Sequence, residues 1–96
     1  MPKGYIIGHI TLHDTDAYKP YSVRNDALLP KFGGKFLTRG GTGEVLEGEE
    51  HPRHVIIEFP SYADANAFYN SAEYQENLKI RQANSDGKII VVEGVE

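Results

Sequence analysis

The stretch GGKFLTRGGTGEVLEGE, Gly33 to Glu49, decides the fold when set beside VIIEFPSY, Val55 to Tyr62, and FYNSAEYQ, Phe68 to Gln75. A glycine pair closes a helix, KFLTR reads as a strand, and Gly40, Gly41 and Gly43 permit a turn or bulge before GEVLE continues as a sheet edge. A phosphate-cradling glycine loop would need a helix directly after it, and a strand-like segment follows instead. Arg53 to Phe59 is a third strand, with Val55, Ile57 and Phe59 on one face and Ile56 and Glu58 on the other. Pro60 stops it. Ser61 with Asp64 reads as a capped helix start, and Ser71 with Glu73 as a second cap, so this helix breaks and restarts.

Upstream, GYIIGHITL, Gly4 to Leu12, is a strand by its β-branched and aromatic content. Its alternation puts Ile6, Gly8, Ile10 and Leu12 on one face and Tyr5, Ile7, His9 and Thr11 on the other. Asp14 and Thr15 are N-cap types, and Ala17, Tyr21, Leu28 and Phe32 share one side of a helix running to about Phe32. Pro20 is costly inside a helix, which sets the regular part to begin near Lys19. Downstream, Asp86-Gly87 reads as a turn before a last strand from Lys88 to Val95. The order β-α-β-β-α-β predicts one α+β domain over residues 1–96, an antiparallel sheet with the helices on one face. The other face would carry Tyr5, Ile7, Leu37, Ile56, Ile90 and Val92. Such an apolar patch marks a protein contact or a ligand cavity, and the expected partner is a second copy packed sheet to sheet.

At 96 residues the core is thin, since a domain of this size hides only about 60–65 % of its unfolded surface. With no cysteine, the chain has neither disulfides nor thiolate chemistry, and a reducing cytoplasm is the expected compartment. The opening MPKGYIIGHI has too short an apolar run for a secretory leader, and no segment approaches membrane-span length. Fourteen acidic against ten basic side chains give a net charge of −4 without a basic run, which argues against nucleic acid.

The chain resembles the family catalogued as domain of unknown function thirteen-thirty, small dimeric α/β-barrel proteins of the ferredoxin-like superfold. The resemblance runs through GYIIGHI, AYKPY, GGKFLTRGG, EVLEG, VIIEFPS, FYNSAEYQ, IRQ and IVVEG in order. It implies the ferredoxin-like fold and a homodimer. Related dimeric barrels include cofactor-free monooxygenases, lactone isomerases and heme-handling proteins, but a shared fold does not transfer a function.

In a ferredoxin-like sheet of order four-one-three-two, alternation projects His9, Arg39 and Glu58 from the face away from the helices. A base, a cation and an acid on neighbouring strands would suit a catalytic centre: Arg39 holding a carboxylate or enolate, His9 shuttling a proton, Glu58 orienting them. The same trio also fits an ionic network that only stabilises an interface. On the helices, Tyr18, Tyr21, Tyr69 and Tyr74, with Arg24 and Arg81, form a second candidate set lining a small-ligand pocket. Tyrosines at helical spacing equally suit packing. His51 and His54 flank Pro52 and fall on opposite strand faces, and no third ligand stands out, so neither a metal nor a heme cofactor is expected. Two functional readings follow. One is a homodimeric protein binding a small aromatic or carboxylated metabolite, with proton transfer or cofactor-free oxidation as its chemistry. The other is a non-catalytic binding or assembly module.

Overall fold

The computed structural model describes all of residues 1–96. Its elements run β1 (Gly4–Leu12), α1 (Thr15–Leu28), a 3-10 turn (Leu29–Phe32), β2 (Lys35–Arg39), β3 (Arg53–Phe59), α2 (Tyr62–Asn70), α3 (Ala72–Asn84) and β4 (Ser85–Glu93). The four strands form one sheet in the order β2-β3-β1-β4, with every neighbouring pair antiparallel. This is the α+β, ferredoxin-like arrangement expected from the sequence. No helix is long and apolar enough to cross a membrane.

Local chemistry explains the helix ends. Asp14 accepts a hydrogen bond from the Ala17 amide at 3.0 Å, and α1 starts at Thr15, four residues before the expected Lys19. Pro20 sits inside it. The carbonyl that Pro20 cannot serve belongs to Asp16 in the exposed first turn, where water can take the place of the missing donor. Ser61 accepts from the Asp64 amide at 3.1 Å and donates to the Asp64 carboxylate at 2.9 Å. Ser71 serves two helices at once. Its hydroxyl donates to the Phe68 carbonyl at 2.8 Å, closing α2, and accepts from the Tyr74 amide at 3.2 Å, opening α3.

Three other expectations are corrected. Gly43 to Glu47 is not a strand: residues 40–52 form a connection without regular structure. Asp86-Gly87 is not a turn, because α3 passes straight into β4 at Ser85, and Asp86 and Gly87 already pair with Thr11 and Ile10. The irregularity in β2 lies between Phe36 and Thr38, not at the glycines: Phe36 pairs with Ile57 and Thr38 with Ile56, leaving Leu37 as the extra residue.

The core lies between the sheet and the helices, centred on Phe59 and Phe68, each 1 % exposed. Ile6, Ile10 and Ile57 meet it from the sheet, and Tyr18, Tyr21, Leu28, Tyr74 and Leu78 from the helices. On the opposite face Ile90 is 42 % and Val92 40 % exposed, so the apolar patch expected there is wetted in a single chain.

Candidate functional site

Position 8, at the middle of the central strand β1, is a glycine. Its missing side chain leaves a hollow in the sheet beneath the helices, where a Cβ would lie 2.9 Å from Ile89 Cδ1. A cavity opens there. About 470 Å³ of unoccupied space, open solvent at the mouth included, lies between its walls, and only about 40 Å³ of it is wide enough for the centres of water molecules. The shape is therefore a narrow slot. Its walls are Ile6, Ile10, Val55, Ile57 and Ile89 from the strands, and Tyr18, Tyr21, Phe68 and Tyr74 from the helices. The polar groups that reach it belong to Ser22, Asn25, Arg39 and Arg53.

The two arginines differ. Arg39 stacks over the Phe36 ring at 4.2 Å and pairs with Asp26 at 2.7 Å, so its charge is compensated. Arg53 makes no ion pair, and its buried Nε has no hydrogen-bond partner. Gly40 makes room for it: φ is 72°, and a Cβ there would sit 2.6 Å from Arg53 Nη1. Of the three glycines read as permitting a turn, Gly40, Gly41 and Gly43, only Gly40 has positive φ. Gly40→Ala is expected to lower unfolding free energy by about 1 kcal/mol, while Gly41→Ala, whose Cβ would meet nothing within 4 Å, leaves it nearly unchanged. Equal urea midpoints for the two variants would contradict this.

In the slot's helix-side wall, Tyr21 and Tyr74 are joined through their hydroxyls, 2.7 Å apart. The Tyr69 ring lies tilted against that of Tyr74, with centroids 5.3 Å apart. Arg81 is buried on α3 with its Nε unpartnered. Asn77 bridges the helices, donating to the Tyr21 carbonyl at 3.1 Å and to Asn25 Oδ1 at 3.2 Å. Burial pushes the Tyr18 phenol above its ordinary pKa, with Arg53 and Arg81 pulling the other way. Tyr21 is pushed well above its ordinary value by burial first and by Tyr74 second.

The proposed trio of His9, Arg39 and Glu58 does not assemble. His9 and Glu58 do share the uncovered face, but the register pairs His9 with His54 and Glu58 with Tyr5, four positions apart along β3. That is about 13 Å at 3.3 Å per residue. His9 Nδ1 instead meets His54 Nδ1 at 2.9 Å, and His51 Nδ1 meets the Thr11 hydroxyl at 2.9 Å. Glu58 is held by Lys3 at 2.9 Å and Lys35 at 3.5 Å, and the Lys3 hydrogen bond leads in holding its carboxyl below the usual range. Arg39 is on the helix-covered side, opposite Val55, because the extra residue at Leu37 reverses the alternation after it. Of the second set, Tyr18, Tyr21 and Tyr74 line the slot, while Tyr69 and Arg81 stand behind it. Arg24 does not belong: it is exposed and borders a separate outer groove with Ala27, Lys31 and Glu73.

The family model described as domain of unknown function (DUF1330) matches residues 3–95. This chain belongs to the DUF1330 family. No curated protein matches it. Among solved structures, a protein of unknown function from Rhodopseudomonas palustris is similar to it at 23 % identity, with 99 % of this chain and 84 % of that one covered and a TM-score of 0.77. A dimeric ferredoxin-like protein of unknown function from Jannaschia sp. CCS1 is similar at 19 % identity, covering 98 % of each chain, TM-score 0.68. The cofactor-independent oxygenase SnoaB from Streptomyces nogalater is similar at 11 % identity, with 100 % and 96 % covered, TM-score 0.66. These likenesses are of fold.

In this DUF1330 chain, Ser22, Asn25, Phe36 and Arg53 are cavity residues that sequence reading passed over. Arg53 was within reach, since it shares the alternation of Val55, Ile57 and Phe59. The raised phenols carry a pH consequence. Tyr18 and Tyr21 hold their protons more tightly folded than unfolded, so their contribution is complete below the ordinary phenol value of 10.0 and is lost as pH rises through the folded values. Urea unfolding is expected to weaken above about pH 10, with Tyr21→Phe removing part of the slope. An identical slope in the variant would refute the assignment.

Proposed function

We propose that this chain is a homodimeric binding protein for a small, flat, aromatic carboxylate, held in the slot beneath the helices. The observation that carries this is Arg53, a half-buried cation in an apolar aromatic slot with neither an ion pair nor a partner for its Nε. An uncompensated charge in such a place is costly, and a ligand anion would relieve it. Ile6, Ile57, Tyr18 and Phe68 offer the apolar walls that a ring requires. Dimerisation through Ile7, Ile56, Ile90 and Val92 would cover the wetted patch and leave the slot, on the other side of the sheet, free. The dimeric state of the ferredoxin-like neighbours supports that assembly. Absence of cysteine agrees with a cytoplasmic setting. The oxygenase likeness, at 11 % identity, supports the scaffold and does not extend to an oxidation.

Phenylacetate and benzylamine test this, because they share a ring and differ in the sign of charge. Phenylacetate is expected to raise the melting temperature in a saturable way by stabilising the native state, and benzylamine to leave it unmoved. Equal shifts, or none, would overturn the anion reading. Sedimentation velocity of the same samples is expected to show a dimer at micromolar concentration, and a monomer would overturn the assembly.

A further inference from the structure

The polar groups around the slot are short of acceptors. Tyr21 and Tyr74 are 7 % and 3 % exposed, and their hydroxyl oxygens stand 2.7 Å apart. Each phenol has one O–H. One proton lies between the oxygens, and the other has no acceptor in the protein, since the remaining polar neighbour of Tyr74, Arg81, can itself only donate. Arg53 Nε and Arg81 Nε are likewise buried donors without acceptors. The one unpartnered acceptor, Asn77 Oδ1, belongs to the seam between α1 and α3, outside the slot's lining. A ligand hydroxyl would bring yet another donor, whereas a carbonyl oxygen brings none.

We infer that the ligand is a 2-oxo carboxylate with an aromatic ring, and that the Tyr21–Tyr74 pair donates a hydrogen bond to its ketone oxygen while Arg53 takes its carboxylate. This rests on the anion-binding reading of Arg53. Both tyrosines line the same slot as Arg53, so a molecule in the slot has all three residues in its walls. A phenol that accepts one hydrogen bond donates the next more strongly, because the chain is polarised along its length. Burial keeps Tyr21 protonated well past neutral pH, which preserves it as a donor. Arg81, two turns along α3 from Tyr74, adds a buried positive charge behind the pair and favours electron density on the ketone oxygen.

Benzoylformate and phenylacetate separate this inference from the one beneath it, since they differ only in a ketone replacing a methylene. Calorimetric titration is expected to show benzoylformate binding about tenfold more tightly to the wild-type protein. In the double variant Tyr21→Phe/Tyr74→Phe the ratio of the two affinities should fall to about one. The double variant is used because removing one hydroxyl alone frees the other to donate. Equal wild-type affinities overturn the ketone inference and leave the anion site standing; failure of both compounds to bind overturns the site itself. A double variant that keeps the tenfold preference overturns the tyrosine assignment. If that variant does not fold, the infrared stretch of the ketone bound to wild type decides: a shift to lower wavenumber than in aprotic solvent upholds the hydrogen bond, and an unshifted band overturns it.

Discussion

Phe68→Ala is expected to leave this protein unfolded or nearly so at physiological temperature. Phe68 is 1 % exposed and is the hub of the aromatic core, its ring centroid 4.7 Å from that of Tyr74, 5.4 Å from Phe59 and 5.8 Å from Phe32. Truncating a buried phenylalanine costs about 3–5 kcal/mol, through lost transfer energy and the cavity left behind. Domains have only about 5–15 kcal/mol to lose, and one this small lies towards the low end. Each kcal/mol moves the midpoint of such a domain by about 4–8 °C, so the drop should reach at least about 12 °C. Phe68→Leu keeps most of the volume and is expected to fold. Differential scanning calorimetry of both variants checks this, and a Phe68→Ala midpoint within a few degrees of wild type would show that the core is centred elsewhere.

Arg53→Leu is expected to do the opposite: little or no loss of stability and a large loss of binding. Its half-buried guanidinium makes no ion pair, so removal relieves an uncompensated charge instead of breaking a salt bridge. Losing a charged hydrogen-bond donor should cost phenylacetate tenfold or more in affinity, from about 1.5–3 kcal/mol. Arg39→Leu is the informative control, because Arg39 already has Asp26 at 2.7 Å and less of its charge is available to a ligand. Undiminished phenylacetate affinity in Arg53→Leu would remove the basis of the proposed function.

The fold was legible because each local signal agreed with the others. Ile6, Gly8 and Ile10 alternate as a strand buried on one side, Ser61 and Ser71 are cap residues at two helix starts, and the wetted Ile90 and Val92 fall on the face expected to be open. The site was legible only in part. Placing Tyr18, Tyr21 and Tyr74 around a pocket needed helical spacing alone. Placing His9 beside Glu58 needed the register between β1 and β3, and a shared face says nothing of distance along a strand. Arg39 depended on an extra residue at Leu37, a leucine in an ordinary strand context, while the glycines that do advertise irregular backbone stand beyond it.

That extra residue also governs how kindred chains can be matched to this one. With Leu37 absent, Phe36, Thr38 and Arg39 would follow one another in plain alternation, and the arginine would still point beneath the helices opposite Val55. A homologue one residue shorter in β2 therefore keeps the same wall to its slot. Matched position for position without a gap, its arginine would fall against Thr38 and be scored as a loss. Opening the gap at the bulge restores the correspondence, so insertions and deletions in this strand must be placed by geometry before any residue in it is judged kept or replaced.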